Sequence, residues 1–277
     1  MHYLFYRISA HNIILLFLTI FMLAPSFFGP QSVYAEEVGL ALPEAINVAG
    51  RQRMLTQRMM KLYCIIGLNI NVDKNKKEMN AVASLFEKQL KQLEHIEGVN
   101  NTLISKHLKH VYEYWEPVKN MIALRPSLDG ASILRHQTDE LLKYAHDFVV
   151  ALEGVSATSQ GKLVNISGRQ RMLSQRIASF YIQSVWGVKS ESVEGKSKQA
   201  KVDFDKAIKL LKAATENTPE LDYLLGLVGA QWQVFRAINT LGIYTKNNDY
   251  AQPALVSDSS DKILSLMNEV THLYASL

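Results

Sequence analysis

With one cysteine, seven prolines and fourteen glycines among 277 residues, the chain has little from which to build a disulfide framework, a cysteine-rich metal site or a turn-rich β fold. Cys64 has no partner to oxidise with, so stability must come from packing. Neither sign of charge dominates: 30 Lys and Arg stand against 26 Asp and Glu, a net +4 too small and too evenly spread to imply nucleic acid. Beyond residue 35 no apolar run is long enough to span a membrane, since the most apolar, Leu62 to Val72, is broken by Asn69 and Asn71. No nucleophile elbow, phosphate loop, zinc helix or haem-attachment pair occurs. No catalytic residue, metal or cofactor is therefore expected, and the chain reads as a non-enzyme. At 48% hydrophobic and 20% charged residues it can nevertheless build a core, and the scarcity of Gly and Pro favours long helices.

Residues 1–35 read differently from the rest. Arg7 precedes a charge-free apolar stretch from Ile13 to Phe28, and Val33-Tyr34-Ala35 has the spacing that signal peptidase accepts. The stretch is short for a membrane span, so a signal peptide and a periplasmic body are expected, an uncleaved N-terminal anchor being the alternative.

The body repeats itself. Ile46-Asn47-Val48-Ala49 followed by Gly50-Arg51-Gln52-Arg53-Met54-Leu55-Thr56-Gln57-Arg58 returns 118 positions later as Val164-Asn165-Ile166-Ser167 and Gly168-Arg169-Gln170-Arg171-Met172-Leu173-Ser174-Gln175-Arg176. From the glycine to the closing arginine, eight of nine positions are identical. Phe86, Leu90 and Leu93 recur at the same offset as Phe204, Ile208 and Leu211; Trp115 matches Trp232 at 117, and Asp139-Glu140-Leu141-Leu142 matches Asp261-Lys262-Ile263-Leu264 at 122. A period of this length is that of whole domains rather than solenoid units. The expected division is residues 36–155 and 156–277, an internal duplication.

Each half reads as four helices. In the first, a helix opened by Pro43 runs through the motif to about residue 71. A second spans about 74–97 and stops at Gly98, and a third follows Asn100 and Asn101, is kinked at Pro117 and ends before Arg125-Pro126. The fourth begins after Asp129-Gly130, with Leu134, Leu141, Leu142, Ala145 and Phe148 at helical spacing. The second half follows the same plan, with a Thr218 cap before Pro219 and a last helix from Pro253. The fold class is thus all-α, two tandem antiparallel four-helix bundles. Fusion of the fourth and fifth helices through Gly154 to Gly161 would stack the bundles end to end, whereas a break would set them side by side.

The repeated motif carries the chemistry. At about 100 degrees per residue, Arg53 shares a helix face with Ile46, Gly50, Gln57 and Met60, while Arg51 and Arg58 share another with Asn47 and Met54. Cations mixed with apolar groups on both faces imply a helix covered on more than one side. No acid lies within the motif, so an anion or carboxylates from other helices must answer guanidinium groups taken out of water. The planar fork of arginine suits an oxyanion, and Gly50 permits a close approach. Two copies supply Arg53 with Arg171, which could clamp one anion if they face one another.

The string Asn-x-Ala/Ser-Gly-Arg-Gln-Arg-Met-Leu-Ser/Thr-Gln-Arg, present at Asn47 to Arg58 and at Asn165 to Arg176, resembles the motif of the PilJ-type domain, the N-terminal extracytoplasmic module of type IV pili methyl-accepting chemotaxis transducers. It is also similar to the periplasmic sensor domain of NarX-type nitrate/nitrite sensor kinases. The resemblance implies a four-helix bundle sensor. In the nitrate sensors the first helix of each of two subunits contributes to one site, and the arginine three positions after the motif glycine holds the anion. Those positions here are Arg53 and Arg171; Gly50 and Gly168 match the glycine, and Arg58 and Arg176 match the closing arginine. Arg51-Gln52 and Arg169-Gln170 follow the pilus-transducer version. The ligand set implied comprises these residues with Asn47, Asn165, Gln57 and Gln175. Such transducers continue into a cytoplasmic signalling module that does not follow Leu277, so output through a membrane-bound sensor kinase or chemotaxis transducer is expected.

Two readings emerge: a periplasmic binding module for a small anion, nitrate or nitrite leading, or a ligand-free interaction module of a pilus or chemosensory system whose arginines pair with acids. His107 and His110 flanked by Lys106 and Lys109 read as a solvated face, and Trp115 and Trp232 as core.

Overall fold

Several helix ends in this protein are set by side-chain caps or left-handed residues. The computed structural model describes residues 39–188, 193–241 and 251–277; the expected signal peptide lies outside them. The described residues form eight helices: α1 Leu42–Gly67, α2 Val72–Gln92, α3 Thr102–Ile122, α4 Leu128–Ser156, α5 Ser159–Trp186, α6 Val193–Lys212, α7 Pro219–Leu241 and α8 Ala251–Ser276. Pro43 occupies the first turn of α1, where its missing N–H costs nothing. The side chain of Asn101 caps α3 by accepting from the backbone N–H groups of Leu103 and Ile104. Ser127 caps α4 and Thr158 caps α5 in the same way.

Several boundaries differ from expectation. Helix α1 stops at Gly67 because Asn69 and Asn71 take left-handed conformations, φ 60° and 43°, and α2 starts directly after. Helix α3 runs through Pro117. Helix α4 begins ahead of Asp129-Gly130, with Gly130 inside its first turn, where the Tyr63 hydroxyl comes so near that a Cβ would sit 2.3 Å from it.

Helices α1 to α4 make up the first half and α5 to α8 the second, and all pack round one continuous hydrophobic core in a compact unit from Val38 to Leu277. In the first, Phe86 stacks on Trp115 at 4.4 Å between ring centres; in the second, Phe204 stacks on Trp232 at 4.0 Å. Each indole N–H donates to the carboxylate next to its phenylalanine, Glu87 and Asp205. Both tryptophans are buried core residues, as their helical spacing suggests.

The question of fusion or break is settled at Ala157. Its left-handed conformation, φ 47°, separates α4 from α5, so the halves lie side by side. Helices α1 and α5 then run parallel along the centre: Ile46 approaches Gly161 near their starts, and Trp186 covers Gly67 near their ends. Helix α8 also packs on α1. This explains the mixed faces of the motif helices, which are buried almost all round; between Ala45 and Ile65 only Arg51 and Arg58 are partly open.

A methyl group at Gly67 would meet the Trp186 ring at 2.2 Å, whereas Gly154 has nothing within 4 Å. Gly67→Ala is expected to destabilise the fold by about 1–3 kcal/mol through overpacking. Gly154→Ala, within α4, should be neutral or stabilising by up to about 1 kcal/mol. Thermal or urea unfolding of the two variants checks the packing of α1 on α5.

Candidate functional site

The parallel pairing of α1 and α5 brings the two motifs together at their glycines. A Cβ built on Gly50 would lie 3.3 Å from Nη2 of Arg53 and 3.4 Å from Nη2 of Arg171. One on Gly168 would lie 3.1 Å from Nη2 of Arg171 and 3.6 Å from Nη2 of Arg53. The glycines thus admit both guanidinium groups into one small space, and both arginines are fully buried. Each crosses to the other half: Arg53 Nη2 donates to the Asn165 carbonyl at 3.4 Å, and Arg171 Nη2 to the Asn47 carbonyl at 3.1 Å.

Their remaining contacts are neutral. Arg53 Nη1 lies 3.3 Å from Nδ1 of His146 on α4, and Arg171 Nη1 donates to Oδ1 of Asn268 on α8 at 3.3 Å. Among the described residues neither Nε has a hydrogen-bond partner. Among the described residues no carboxylate reaches ion-pair distance of either arginine. Burial, with the charge of Arg169 added, pulls Arg53 down to about 9, Glu153 pulling the other way. Burial, then Arg51 and Arg53, holds Arg171 well below its usual range, with Glu44 opposing. Two buried like charges without a counter-ion cost free energy, and an anion between them would remove that cost.

Asn47 and Asn165 belong to this centre. Their amide groups donate to Glu44 and Glu153, while their Oδ1 atoms are buried without a partner. Most of the other motif residues are held by partners of their own. Arg58 pairs with Glu78 at 2.6 Å and reaches Asp261 at 3.8 Å; Arg176 pairs with Asp139 at 3.3 Å. Arg169 is half exposed and pairs with Asp203 at 2.8 Å. Arg51 is partly open, its pKa lowered by burial against the pull of Glu44. Gln175 donates to Ser260 and Asp261, whereas the buried Gln57 amide nitrogen has no partner. The closing arginines therefore bind the halves together, each meeting an aspartate of the other half.

Three contributors carried no motif. His146 and Asn268 occupy matched positions, since the offset of 122 that aligns Asp139 with Asp261 also aligns them. Lys61 is fully buried and pairs with Asp261 at 2.7 Å, where the second half has Ser179. Burial pushes the lysine pKa down, opposed by Asp261. Burial disfavours the charge on Asp261, yet Lys61 and Arg58 outweigh it and hold the carboxyl below its usual range.

The eight described helices, packed as one unit with the two motif helices at its centre, define an all-α helical bundle. The sequence profile of the PilJ family, the type IV pili methyl-accepting chemotaxis transducer N-terminal domain, matches residues 41–141 and 155–237, and the chain belongs to that family. It is a transducer family rather than a catalytic one. No curated protein and no solved structure shows significant similarity to the chain. Among the described residues no helix is long and apolar enough to cross a membrane.

Asp261→Ala would strand Lys61 as an uncompensated buried charge, and is expected to cost about 3–5 kcal/mol. Asp139→Ala, whose partners Arg176 and Lys196 are partly exposed, should cost no more than about 1 kcal/mol. A Lys61→Ser exchange, copying Ser179, should recover most of the first loss. Denaturant unfolding of the three variants checks the order.

Proposed function

We propose that the protein is a periplasmic sensor module that binds one small oxyanion, nitrate or nitrite leading, between Arg53 and Arg171. The observation that carries this reading is the meeting of two fully buried guanidinium groups with no carboxylate of the described residues in ion-pair reach. The backbone carbonyls of Asn47 and Asn165 orient the two forks, and Gly50 and Gly168 keep space beside them. The reading extends the family assignment, and the nitrate-sensor likeness of the motif, to this pair of residues. The repeat suggests a duplicated module, so that one chain supplies both arginines that a symmetric pair of subunits would otherwise share. A signal peptide in residues 1–35 would deliver it to the periplasm, and a membrane-bound kinase or chemotaxis transducer would carry the signal onward.

The second reading, a ligand-free interaction module of a pilus or chemosensory system, is favoured by the ion pairs of Arg58, Arg169 and Arg176, which treat three motif arginines as architecture.

Calorimetric titration of the full chain with nitrate, nitrite, sulfate and chloride tests the choice. Saturable heat with nitrate or nitrite, lost in the Arg53→Ala/Arg171→Ala double variant, is the expected result. At one hundred times its dissociation constant the anion should stabilise the fold by about 2.7 kcal/mol, a rise in Tm on the order of 5–10 °C. An Arg53→Met/Arg171→Met double variant, which keeps most of the buried volume and removes two unanswered charges, should be no less stable than the wild type without anion. Absence of heat with every anion, together with a destabilised methionine double variant, would instead leave the interaction module.

Binding should also depend on pH through His146. Burial, then the charges of Arg53 and Arg169, holds this histidine below its usual pKa, with Asp147 and Glu153 opposing. Protonation therefore costs the anion-free fold stability as pH falls through about 6.5, where the unfolded chain takes up its proton. A bound anion removes part of the repulsion and raises the histidine pKa. Affinity should rise between pH 7.5 and 5.5, and titrations in buffers of different ionisation enthalpy should show proton uptake that a His146→Asn variant loses.

A further inference from the structure

The two sides of the arginine pair are not equivalent. On the α4–α5 side a pocket of about 360 Å³ opens to solvent, and Arg53 forms part of its lining. Helix α4 contributes Asp139, Lys143 and His146, helix α5 contributes Arg169 and Arg176, and α6 contributes Lys196. Five Lys and Arg thus face one carboxylate in the lining, with Asp203 outside it holding Arg169. Arg176 and Lys196 both lean on Asp139, at 3.3 and 3.1 Å, and the Nε atoms of Arg53 and Arg176 are buried without a partner.

The matched positions on the opposite side read otherwise. Lys196 corresponds to Glu78, which closes on Arg58 at 2.6 Å, and Lys143 corresponds to the uncharged Ser265. Lys61 comes in from the bundle core to neutralise Asp261 at 2.7 Å, whereas Asp139 has two cations to answer alone. With Arg51 and Arg171 as the matches of Arg169 and Arg53, the opposite side sets four cations, Lys61 among them, against two carboxylates, whereas the pocket lining sets five against one and is the more cationic of the two.

We propose that this pocket binds a small organic anion with two acidic groups. One group reaches Arg53, and through it the shared centre; the other lies among Arg169, Arg176 and Lys196. The volume falls at the lower end of the range for organic ligands, about 300–1,000 Å³, and is more than a lone nitrate fills. Forked guanidinium groups suit carboxylate and phosphate alike, so the class includes dicarboxylates and phosphocarboxylates. This inference rests on the anion-binding reading of Arg53 and refines it, making nitrate the smallest occupant of a larger site.

Titration of the full chain with succinate and 2-phosphoglycolate, beside acetate and nitrate, tests the proposal. At least one two-headed anion should bind about tenfold or more tightly than acetate, at one site per chain, and compete with nitrate. Succinate alone binding would select carboxylates; 2-phosphoglycolate alone would select phosphate. Lys143→Ser/Lys196→Glu, which copies Ser265 and Glu78 at two exposed positions, should weaken the two-headed anion about tenfold and leave nitrate within about twofold. Nitrate binding with two-headed anions no tighter than acetate would overturn the pocket and spare the clamp. Two-headed anions that bind tightly but ignore the double substitution would place them elsewhere and overturn it as well. No binding by any of the four would overturn both readings.

Discussion

Two arginine side chains buried against each other, with no carboxylate of the described residues between them, form the constraint around which the rest of the structure is arranged. Like charges in a water-poor interior repel, and the repulsion is tolerated only where surrounding structure holds the groups in place. The chain does this with carbonyls from the opposite motif helix, glycines that let the two helices close, and Asp139 and Asp261 reaching across the halves. Aromatic stacks in each half keep α2 and α3, or α6 and α7, in register behind the motif helices.

The contrast between the motif's inner and outer arginines orders the site. Arg58, Arg169 and Arg176 are answered by acids and partly exposed, so they act as ties. Arg53 and Arg171 are unanswered and enclosed, which leaves their hydrogen-bonding capacity directed at whatever enters. Identical residue types thus take two physical roles on one helix, and the difference lies in what the neighbouring helices present to them.

Much of the fold was legible because the chain says it twice. The repeat located both motif helices, the offset at Trp115 and Trp232 located both aromatic stacks, and Pro43, Asn101 and Thr218 marked helix starts. Boundaries went astray where local signals had tertiary owners. Gly130 reads as a turn residue but sits within a helix under the Tyr63 hydroxyl, and Asn69 and Asn71 end α1 through backbone conformations that their identity permits without requiring. The partners of the motif were harder. His146 and Asn268 align only through an offset that accumulates insertions, and the Lys61–Asp261 pair joins residues 200 positions apart with no counterpart in the other half. Nothing local in a sequence announces such a pair.

The short break at Ala157 has a consequence for how such a site can change. When two identical chains meet on a symmetry axis, every substitution arrives on both sides of the ligand, and assembly depends on how much protein is present. A tether of a few residues between α4 and α5 removes both conditions. The second arginine is always at hand, however dilute the molecule, and each flank can vary by itself. Glu78 opposite Lys196, and Ser265 opposite Lys143, are asymmetries of a kind that a pair of identical chains could not hold.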